Sequence, residues 1–256
     1  MVTRKETIRL AAVGDLHCRK GSQGRLAQVF SRAADEADVL VLCGDLTDFG
    51  TPEEARILAK ELTSAATMPM VGVLGNHDYE TNHVEDVREI LGDAGLNLLD
   101  GDIYEVHGVG FAGVKGFAGG FGPAMLRPWG EPSIKAFVHE GVEEALKLEC
   151  ALGTLRTQHR IAIMHYAPIA ATVEGEPHDI YPYLGTSRLE DSLHRYPVSM
   201  VFHGHAHHGT LEGRTSGDIP VFNVALPLLE RSLPERTPFR LIELPTATSQ
   251  HVSEVS

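Results

Sequence analysis

The sequence of 256 residues predicts an α/β fold, and three observations support that prediction. Short apolar runs alternate with amphipathic helical patterns along the first part of the chain, as in β–α repeats. The run Val39–Cys43 is apolar at every position, which is typical of a central parallel strand buried on both faces. A second series of short strands follows a long helical pattern. The length suits one large domain over residues 1–256 with a substantial core.

The first part of the chain predicts three strands and three helices in alternation. The strands are expected over 8–13, 39–43 and 70–74, and the helices over 24–38, 51–64 and 84–94. Thr51, Pro52 and the two glutamates after them indicate where the second helix starts. A capping hydroxyl, a proline in the first turn and acids at the positive end of the dipole all favour a helix N-terminus.

The middle of the chain predicts a hairpin and two long loops. Residues 103–106 and 109–114 flank His107 and Gly108 and are expected to pair as antiparallel strands. The glycine-rich segment 116–132, which contains the only tryptophan, is expected to be a long irregular loop. The turn-rich segment 168–184 is expected to be a second loop. We expect both loops to set substrate specificity.

The second half predicts one long helix and four more strands. The helix is expected over 133–156, with a candidate interruption at Gly141. The strands are expected over 160–164, 198–202, 219–224 and 238–244. The polar tail from Thr246 is expected to fray.

Composition restricts the functional classes. Asp and Glu number 35 against 22 Lys and Arg, and the net charge of -13 disfavours binding along a nucleic-acid backbone. A small phosphate substrate is not excluded, since the charge at a metal site can oppose that of the whole protein.

The polar start indicates no signal peptide, and no apolar run is long enough to span a membrane. The three cysteines lie far apart without a C-x-x-C pair, so we expect a reducing, cytoplasmic location.

Histidine, aspartate and asparagine recur at the carboxyl ends of five apolar runs. The five segments are Asp15-Leu16-His17, Gly44-Asp45-Leu46-Thr47-Asp48, Gly75-Asn76-His77-Asp78, His165, and Gly204-His205-Ala206-His207. Each motif alone is common by chance, but all five in this order, each after an apolar run, are not. Ligands delivered together at strand ends are how a sheet-based fold assembles a metal centre.

The ligand types indicate two metal ions. Nitrogen and oxygen ligands without a thiolate suit Mn, Fe, Zn or Co, and the candidates are Asp15, His17, Asp45, Asn76, His165, His205 and His207. Seven ligands are too many for one tetrahedral site, but they fit two open sites that share the two oxygens of Asp45. Two ions about 3.5–4 Å apart can clamp the oxygens of a displacement at phosphorus and lower the pKa of a bridging water toward about 7.

These segments resemble the pattern of the calcineurin-like metallophosphoesterases, which is D-x-H, G-D-x-x-D, G-N-H-D/E, a lone H and then G-H-x-H. The match extends from Asp15 to His207 and so covers most of the chain. The resemblance implies a four-layer α/β/β/α sandwich of two mixed sheets, with the metals at the strand ends. It also implies a hydrolase of phosphate esters that uses a metal-bridging hydroxide as nucleophile.

The resemblance also implies a role for each motif residue. One ion would be held by Asp15, His17, Asp45 and His207, and the other by Asp45, Asn76, His165 and His205. His77 resembles the family's histidine that is not a ligand, contacts the phosphate and protonates the leaving alkoxide. Asp78 is expected to orient His77, and Asp48, near the following helix, is expected to support the metal ligands as a hydrogen-bond partner behind them.

Differences between these segments and the motifs of three related subgroups narrow the choice of subgroup. The segment after Asp45 lacks the arginine of Ser/Thr protein phosphatases, and Asp48 stands where purple acid phosphatases have a metal-binding tyrosine. His77 stands where the UDP-sugar hydrolases of the lipid A pathway have arginine. The motifs are most similar to those of bacterial class III cyclic-nucleotide phosphodiesterases, which favours a small-molecule phosphodiester as substrate.

Three alternatives stay open at this point. The chain could be a phosphomonoesterase of the same fold, or a metal-loaded module without catalysis whose 116–132 loop binds a partner protein. Trp129 and Phe121 could line the substrate site, or a buried Trp129 could anchor that loop. The oligomeric state is not fixed by the sequence, and a homodimer is compatible with it.

Overall fold

The computed structural model describes residues 7–65 and 67–245, which form two sheets with helices on both sides. The strands in this part of the chain are β1 (Thr7–Val13), β2 (Val39–Cys43), β3 (Met70–Val73), β4 (Leu96–Leu98), β5 (Asp102–Val106), β6 (Val109–Val114), β7 (His159–Met164), β8 (Met200–His203), β9 (Glu212–Arg214), β10 (Pro220–Asn223) and β11 (Arg240–Pro245). The α-helices are α1 (Ala27–Glu36), α2 (Pro52–Leu62), α3 (Val84–Asp93), α4 (Pro132–Thr154), α5 (Tyr181–Leu184), α6 (Ser187–Leu193) and α7 (Leu226–Ser232).

Both sheets are mixed and have a parallel centre. The first sheet has the order β11-β1-β2-β3-β4, in which β1 to β4 are parallel and β11 is antiparallel to β1. The second sheet has the order β5-β6-β7-β8-β10-β9, in which β6, β7, β8 and β10 are parallel. The edge strands β5 and β9 pair antiparallel with their neighbours, and the predicted hairpin of β5 and β6 is confirmed.

The two sheets stack on each other and are covered by helices on their outer faces. Alternate side chains of the second sheet, such as Phe111 and Ile163, pack into one core with the first sheet and α1 to α3. The intervening ones, such as Ala112 and Met164, pack against α4 and α6 in a second core. This period of two follows from the opposite directions of successive side chains along a strand. The predicted four-layer α/β/β/α class is thus confirmed.

Several element boundaries differ from the prediction for local reasons. Helix α1 begins at Ala27 rather than at residue 24, because Gly24 has a φ of 80° and Glu61 of α2 accepts hydrogen bonds from the Gly24 and Ala27 amides. Helix α4 runs through Gly141 without interruption. A Cβ there would lie 3.1 Å from the Ala118 carbonyl oxygen, so this glycine permits a close approach and does not break the helix.

Some elements were not predicted at all. Helices α6 and α7 and the short strands β4 and β9 lie in segments that the apolar periodicity left unassigned. The tail from Thr246 lies outside the described residues. None of the helices in 7–65 and 67–245 has both the length and the apolar composition needed to cross a lipid bilayer.

Candidate metal centre

The five predicted segments converge at one edge of the stacked sheets. Each follows the carboxyl end of a strand, namely β1, β2 and β3 in the first sheet and β7 and β8 in the second. These strands are neighbours in parallel order within each sheet, so their ends meet. Hydrogen bonds from the His205 amide to both carboxylate oxygens of Asp15, at 3.0 and 2.9 Å, join the two sheets at this edge.

A first cluster of donor atoms contains Asp15, His17 and His207. The Nε2 atom of His207 lies 2.8 Å from Oδ1 of Asp15 and 3.5 Å from Nε2 of His17. Oδ2 of Asp45 lies 3.8 Å from the same His17 nitrogen. These four residues are the set expected for one ion.

A second cluster contains Asn76, His165 and His205. The Nε2 atom of His165 lies 2.9 Å from Oδ1 of Asn76, 3.1 Å from Nδ1 of His205 and 3.3 Å from Oδ1 of Asp45. Asp45 therefore presents one carboxylate oxygen to each cluster. The three His and Asp triads in the described residues whose donor atoms lie within 4.8 Å of one another all belong to this site.

In three candidate histidine ligands, the ring nitrogen that points away from the cluster (the outer nitrogen) is paired with an acceptor. The ring nitrogen that points into the cluster (the inner nitrogen) is therefore free for a cation. Nδ1 of His165 donates to the Cys43 carbonyl at 3.0 Å, and Nε2 of His205 donates to the Tyr183 carbonyl at 3.2 Å. Nδ1 of His17 faces the Asp48 carboxylate at 3.3 Å. Because a carbonyl can only accept, the proton of the neutral ring sits on the outer nitrogen. This arrangement is typical of metal-binding histidines, and the donor set therefore fits the implied ions.

Electrostatics at the centre also favour cations. Asp15, Asp45 and His165 are buried. Burial raises the pKa of Asp45, but the positive charge and hydrogen bond of His165 outweigh it and hold that pKa well below its usual range. Burial lowers the pKa of His165, but the Asp45 carboxylate raises it by more, so that the pKa of His165 is raised to about 9. Burial lowers the pKa of His205 to about 3, so this ring is neutral. The carboxylates are ionised and attract positive charge, which a metal ion would supply in place of the His165 proton.

Four of the candidate ligands have left-handed backbones. Asp15, His17, Asp45 and His205 have φ values of 54°, 42°, 47° and 69°. Residues other than glycine rarely adopt this backbone region, and each such residue costs of the order of 1 kcal/mol or more. The sharp turns aim each side chain inward as soon as its strand ends, so the strain is concentrated where the ligands converge.

Three motif glycines make room for these ligands. A Cβ at Gly44 would lie 2.6 Å from Nδ1 of His165, and one at Gly75 would lie 2.2 Å from Oδ1 of Asp45. A Cβ at Gly204 would lie 2.2 Å from Oδ2 of Asp15. The glycines of the motifs are therefore required by the close approach of the opposite ligand.

We expect Gly204→Ala to displace Asp15 and to reduce bound metal. The methyl group has no space beside the carboxylate, and overpacking of this kind costs typically 1–3 kcal/mol. Metal content by elemental analysis and the thermal midpoint should both fall. The matched control is Gly92→Ala on α3, where a Cβ meets nothing within 4 Å. There the protein should keep its metal and its stability, and equal behaviour of the two variants would contradict this account.

His77 lies beside Asp45 with its ring held from behind. Nδ1 of His77 donates to the Asp48 carbonyl at 2.7 Å, and Nε2 lies 4.0 Å from Oδ2 of Asp45. The side chain is 38% exposed, so Nε2 is open to a substrate. Asp48 thus holds two rings, His77 through its carbonyl and His17 through its carboxylate.

Asp78, which was expected to orient His77, makes its hydrogen bonds to the loops after β2 and β3. The Asp78 carboxylate is buried and accepts hydrogen bonds from the backbone amides of Leu46, Thr47 and Gly75 and from the Thr47 hydroxyl, at 2.6–3.1 Å. Burial raises the pKa of Asp78 to about 6. Asp78 therefore ties the loop after β2 to the loop after β3, and it positions Asp45 and Asn76 through their backbones.

Residues beside the motifs and in the two predicted loops differ in how they lie relative to the centre. His203, the last residue of β8, is buried and turned away from the centre, with Nε2 2.8 Å from the Thr172 hydroxyl. His208 is exposed. Trp129 is 71% exposed, so the alternative of a buried tryptophan anchoring the 116–132 loop is wrong. The 168–184 segment does reach the centre, since the Tyr183 carbonyl contacts His205.

Lys115 was not singled out from the sequence. It follows β6 directly, and its backbone carbonyl accepts hydrogen bonds from the amides of His165 and Tyr166 at 3.0 and 3.2 Å. The ring of Tyr166 lies 4.5 Å from that of His205, between centroids. Lys115 directly follows an apolar run, just as the candidate aspartate and histidine ligands do, and this position predicts a side chain at the carboxyl end of a strand. It was missed because lysine is not a metal ligand of this type.

Comparison with known proteins gives a family and a fold. The family model described as calcineurin-like phosphoesterase matches residues 8–209. No sequence among curated proteins matches the chain. The structure is similar to a phosphopantetheinyl hydrolase of Mycobacterium tuberculosis, with a TM-score of 0.64 and 16% identity over 91% of this chain and 95% of the other.

Two further structures share the fold. The protein TT1561 of Thermus thermophilus has a TM-score of 0.53 and 13% identity, over 92% of this chain and 98% of the other. A putative 5'-nucleotidase of Staphylococcus aureus has a TM-score of 0.50 and 17% identity, over 85% of this chain and 48% of the other. At these identities the likeness concerns the fold alone.

Proposed function

The chain belongs to the calcineurin-like phosphoesterase family, and from this premise we propose that it hydrolyses small phosphodiesters at a dinuclear metal centre. The family makes it a metal-dependent phosphoesterase. The observation that supports two ions is the position of Asp45, whose Oδ2 faces His17 and whose Oδ1 faces His165. One carboxylate between two clusters is what a shared ligand requires.

Each ion has three ligands of its own in this proposal and shares Asp45 with the other ion. One ion would be held by Asp15, His17, Asp45 and His207, and the other would be held by Asp45, Asn76, His165 and His205. Two divalent ions of Mn, Fe, Zn or Co would supply Lewis-acid stabilisation of the phosphate oxygens and a water of lowered pKa. The fixed outer nitrogens keep the inner nitrogens aimed at the ions before any binding occurs.

His77 is the proposed general acid. Its Nδ1 proton is committed to the Asp48 carbonyl, so the proton available to a leaving oxygen is the one on Nε2, which faces the site. Asp78 acts only as a positioning residue, through the loop backbones that it joins.

The local charge suits a phosphate even though the protein carries a net charge of -13. The positive charges of two divalent ions exceed the negative charges of Asp15 and Asp45. Two arginines lie beside the centre: Arg19 is 3.9 Å from the Asp48 carboxylate, and Arg231 donates to the His207 carbonyl at 3.1 Å. A small anionic ester is therefore attracted to this edge, whereas a long nucleic acid meets an acidic surface.

The first test compares bis-p-nitrophenyl phosphate with p-nitrophenyl phosphate, using chelator-stripped protein with and without Mn²⁺. We expect turnover only with the metal and a preference for the diester. A monoester preference would replace the phosphodiesterase proposal by a phosphatase. A phosphopantetheinyl ester belongs in the same panel, because one structural relative is a phosphopantetheinyl hydrolase.

A metal-loaded interaction module is the second candidate, and the exposed Trp129 is the observation that favours it. A tryptophan that is 71% exposed in a glycine-rich loop resembles a binding anchor more than a structural one. This candidate predicts bound metal without turnover of any ester, together with a protein complex that Trp129→Ala disrupts. Mn²⁺-dependent turnover would reject it as the main function.

A further inference from the structure

A closed circuit of aromatic side chains adjoins the second cluster. From His205, successive ring centroids are separated by 4.5 Å to Tyr166, 5.9 Å to Phe117, 5.0 Å to Phe137 and 6.4 Å to Tyr183. The Tyr183 carbonyl then accepts the hydrogen bond from Nε2 of His205. The circuit thus begins and ends at a candidate ligand, and its members come from the ends of β6 and β7 and from α4 and α5.

Lys115 lies beside this group and faces two of its rings together with the ring of Tyr79. Its Nζ atom is 4.7 Å from the Phe117 centroid, 5.6 Å from that of Tyr166 and 5.7 Å from that of Tyr79. The lysine side chain is only 11% exposed, with Glu140 3.8 Å away. A cation is attracted to the negative faces of aromatic rings, so Lys115 holds these rings in place.

Tyr79 is fixed at its other end as well. Its hydroxyl accepts a hydrogen bond from Arg88 at 3.2 Å, and Arg88 is paired with Asp100 at 3.1 Å. Tyr79 follows His77 and Asp78 directly in the chain, and Lys115 links its ring to those of Phe117 and Tyr166.

The rings are fixed, yet several of them face solvent. Tyr183 is 61% exposed and Tyr79 is 37% exposed, while Phe117 and Phe137 are half-buried. Phe117 and Phe137 pack against the second core, of which the buried Tyr166 is a part, and the surface that they and Tyr183 leave open is therefore preorganised for a ligand. Because the wall borders His205, a group attached to a phosphate at the centre would lie along it.

We propose that a binding wall beside the second cluster takes a flat aromatic group of the phosphate ester. The wall consists of Lys115, Tyr79, Phe117, Tyr166, Phe137 and Tyr183. This inference rests on the proposed function and narrows its substrate class to esters that carry an aryl or nucleobase ring. Tyr183 and Phe137 supply the open faces on which the ring stacks, and Lys115 is a positioning residue.

The test uses phosphodiesters of methanol with three different second groups, benzyl, cyclohexylmethyl and methyl, so that no other aromatic group can occupy the wall, and turnover is followed by phosphorus NMR. Benzyl and cyclohexylmethyl are similar in size, and only the former is flat and aromatic. We expect the benzyl ester to have the lowest KM with Mn²⁺-loaded protein. Tyr183→Ala and Phe137→Ala should each raise that KM roughly tenfold, and the KM of the methyl ester much less.

Leu146→Ala is the matched control. Leu146 is 53% exposed on the same helix as Phe137, and nine residues of helix separate the two by about 14 Å. Its KM values should equal those of the unmodified protein. Equal KM values for the benzyl and cyclohexylmethyl esters in the unmodified protein would overturn the inference, as would an effect of Leu146→Ala as large as that of Tyr183→Ala.

Binding of benzylphosphonate and cyclohexylmethylphosphonate, measured by calorimetry on Mn²⁺-loaded protein, separates this inference from the proposed function. Neither compound can be hydrolysed. If no ester is turned over, the proposed function fails, and the two dissociation constants still decide the inference. A benzylphosphonate preference that Tyr183→Ala removes supports the wall, and equal constants overturn it.

Discussion

Asp45→Asn is expected to abolish hydrolysis while the fold survives. The substitution keeps the shape of the side chain but removes its negative charge and one of the two oxygens that face His17 and His165. Both proposed ions lose their shared ligand, so kcat/KM should fall by roughly 10³-fold or more. Metal content measured by elemental analysis should fall together with activity, and the far-UV circular dichroism spectrum should not change.

Asp35→Asn provides the matched control for Asp45→Asn. Asp35 is exposed on α1, away from the strand ends, and its substitution removes the same charge from the protein. That variant should keep its activity and its metal. Substantial turnover by purified Asp45→Asn protein, with metal still bound, would contradict the shared-ligand account.

The candidate ligands could be predicted because their signal is local and repeated. An apolar run that ends in Asp, His or Asn indicates a strand whose carboxyl end carries a polar side chain, and parallel strands bring such ends together. The structure does bring Asp15, Asp45 and His165 to one edge. The left-handed turns that aim them inward could not be predicted for aspartate, since sterics disfavour that conformation except where the surrounding structure enforces it.

The role of Asp78 could not be predicted in the same way. Its neighbour in sequence is His77, which suggested a pair, but its hydrogen bonds go to amides that follow β2 and to one that follows β3. Which partner a buried carboxylate finds depends on how two loops meet, and residue spacing does not contain that information. The aromatic wall was missed for the same reason, because Phe117, Phe137 and Tyr183 come from three separate segments.

Substitution of His77 should show an effect that depends on the leaving group. If Nε2 of His77 protonates the departing oxygen, its loss matters most for an alkoxide, which is a poor leaving group. It matters least for p-nitrophenolate, which departs without a proton. We expect His77→Ala to lower kcat for an alkyl ester by about 10²–10⁴-fold, and to lower kcat for bis-p-nitrophenyl phosphate far less.

The two halves of this expectation exclude the simpler explanations of a kcat loss. A merely structural role for His77 would slow both esters equally, and loss of a metal ion would do the same while lowering metal content. His139→Ala is the control, because its side chain is 69% exposed on α4 and pairs with Glu143 at 2.9 Å. An equal loss for the alkyl ester and the p-nitrophenyl ester would remove His77 as the acid. In that case the hydrogen bond from Nδ1 to the Asp48 carbonyl would serve only to hold the loop after β2 against the loop after β3.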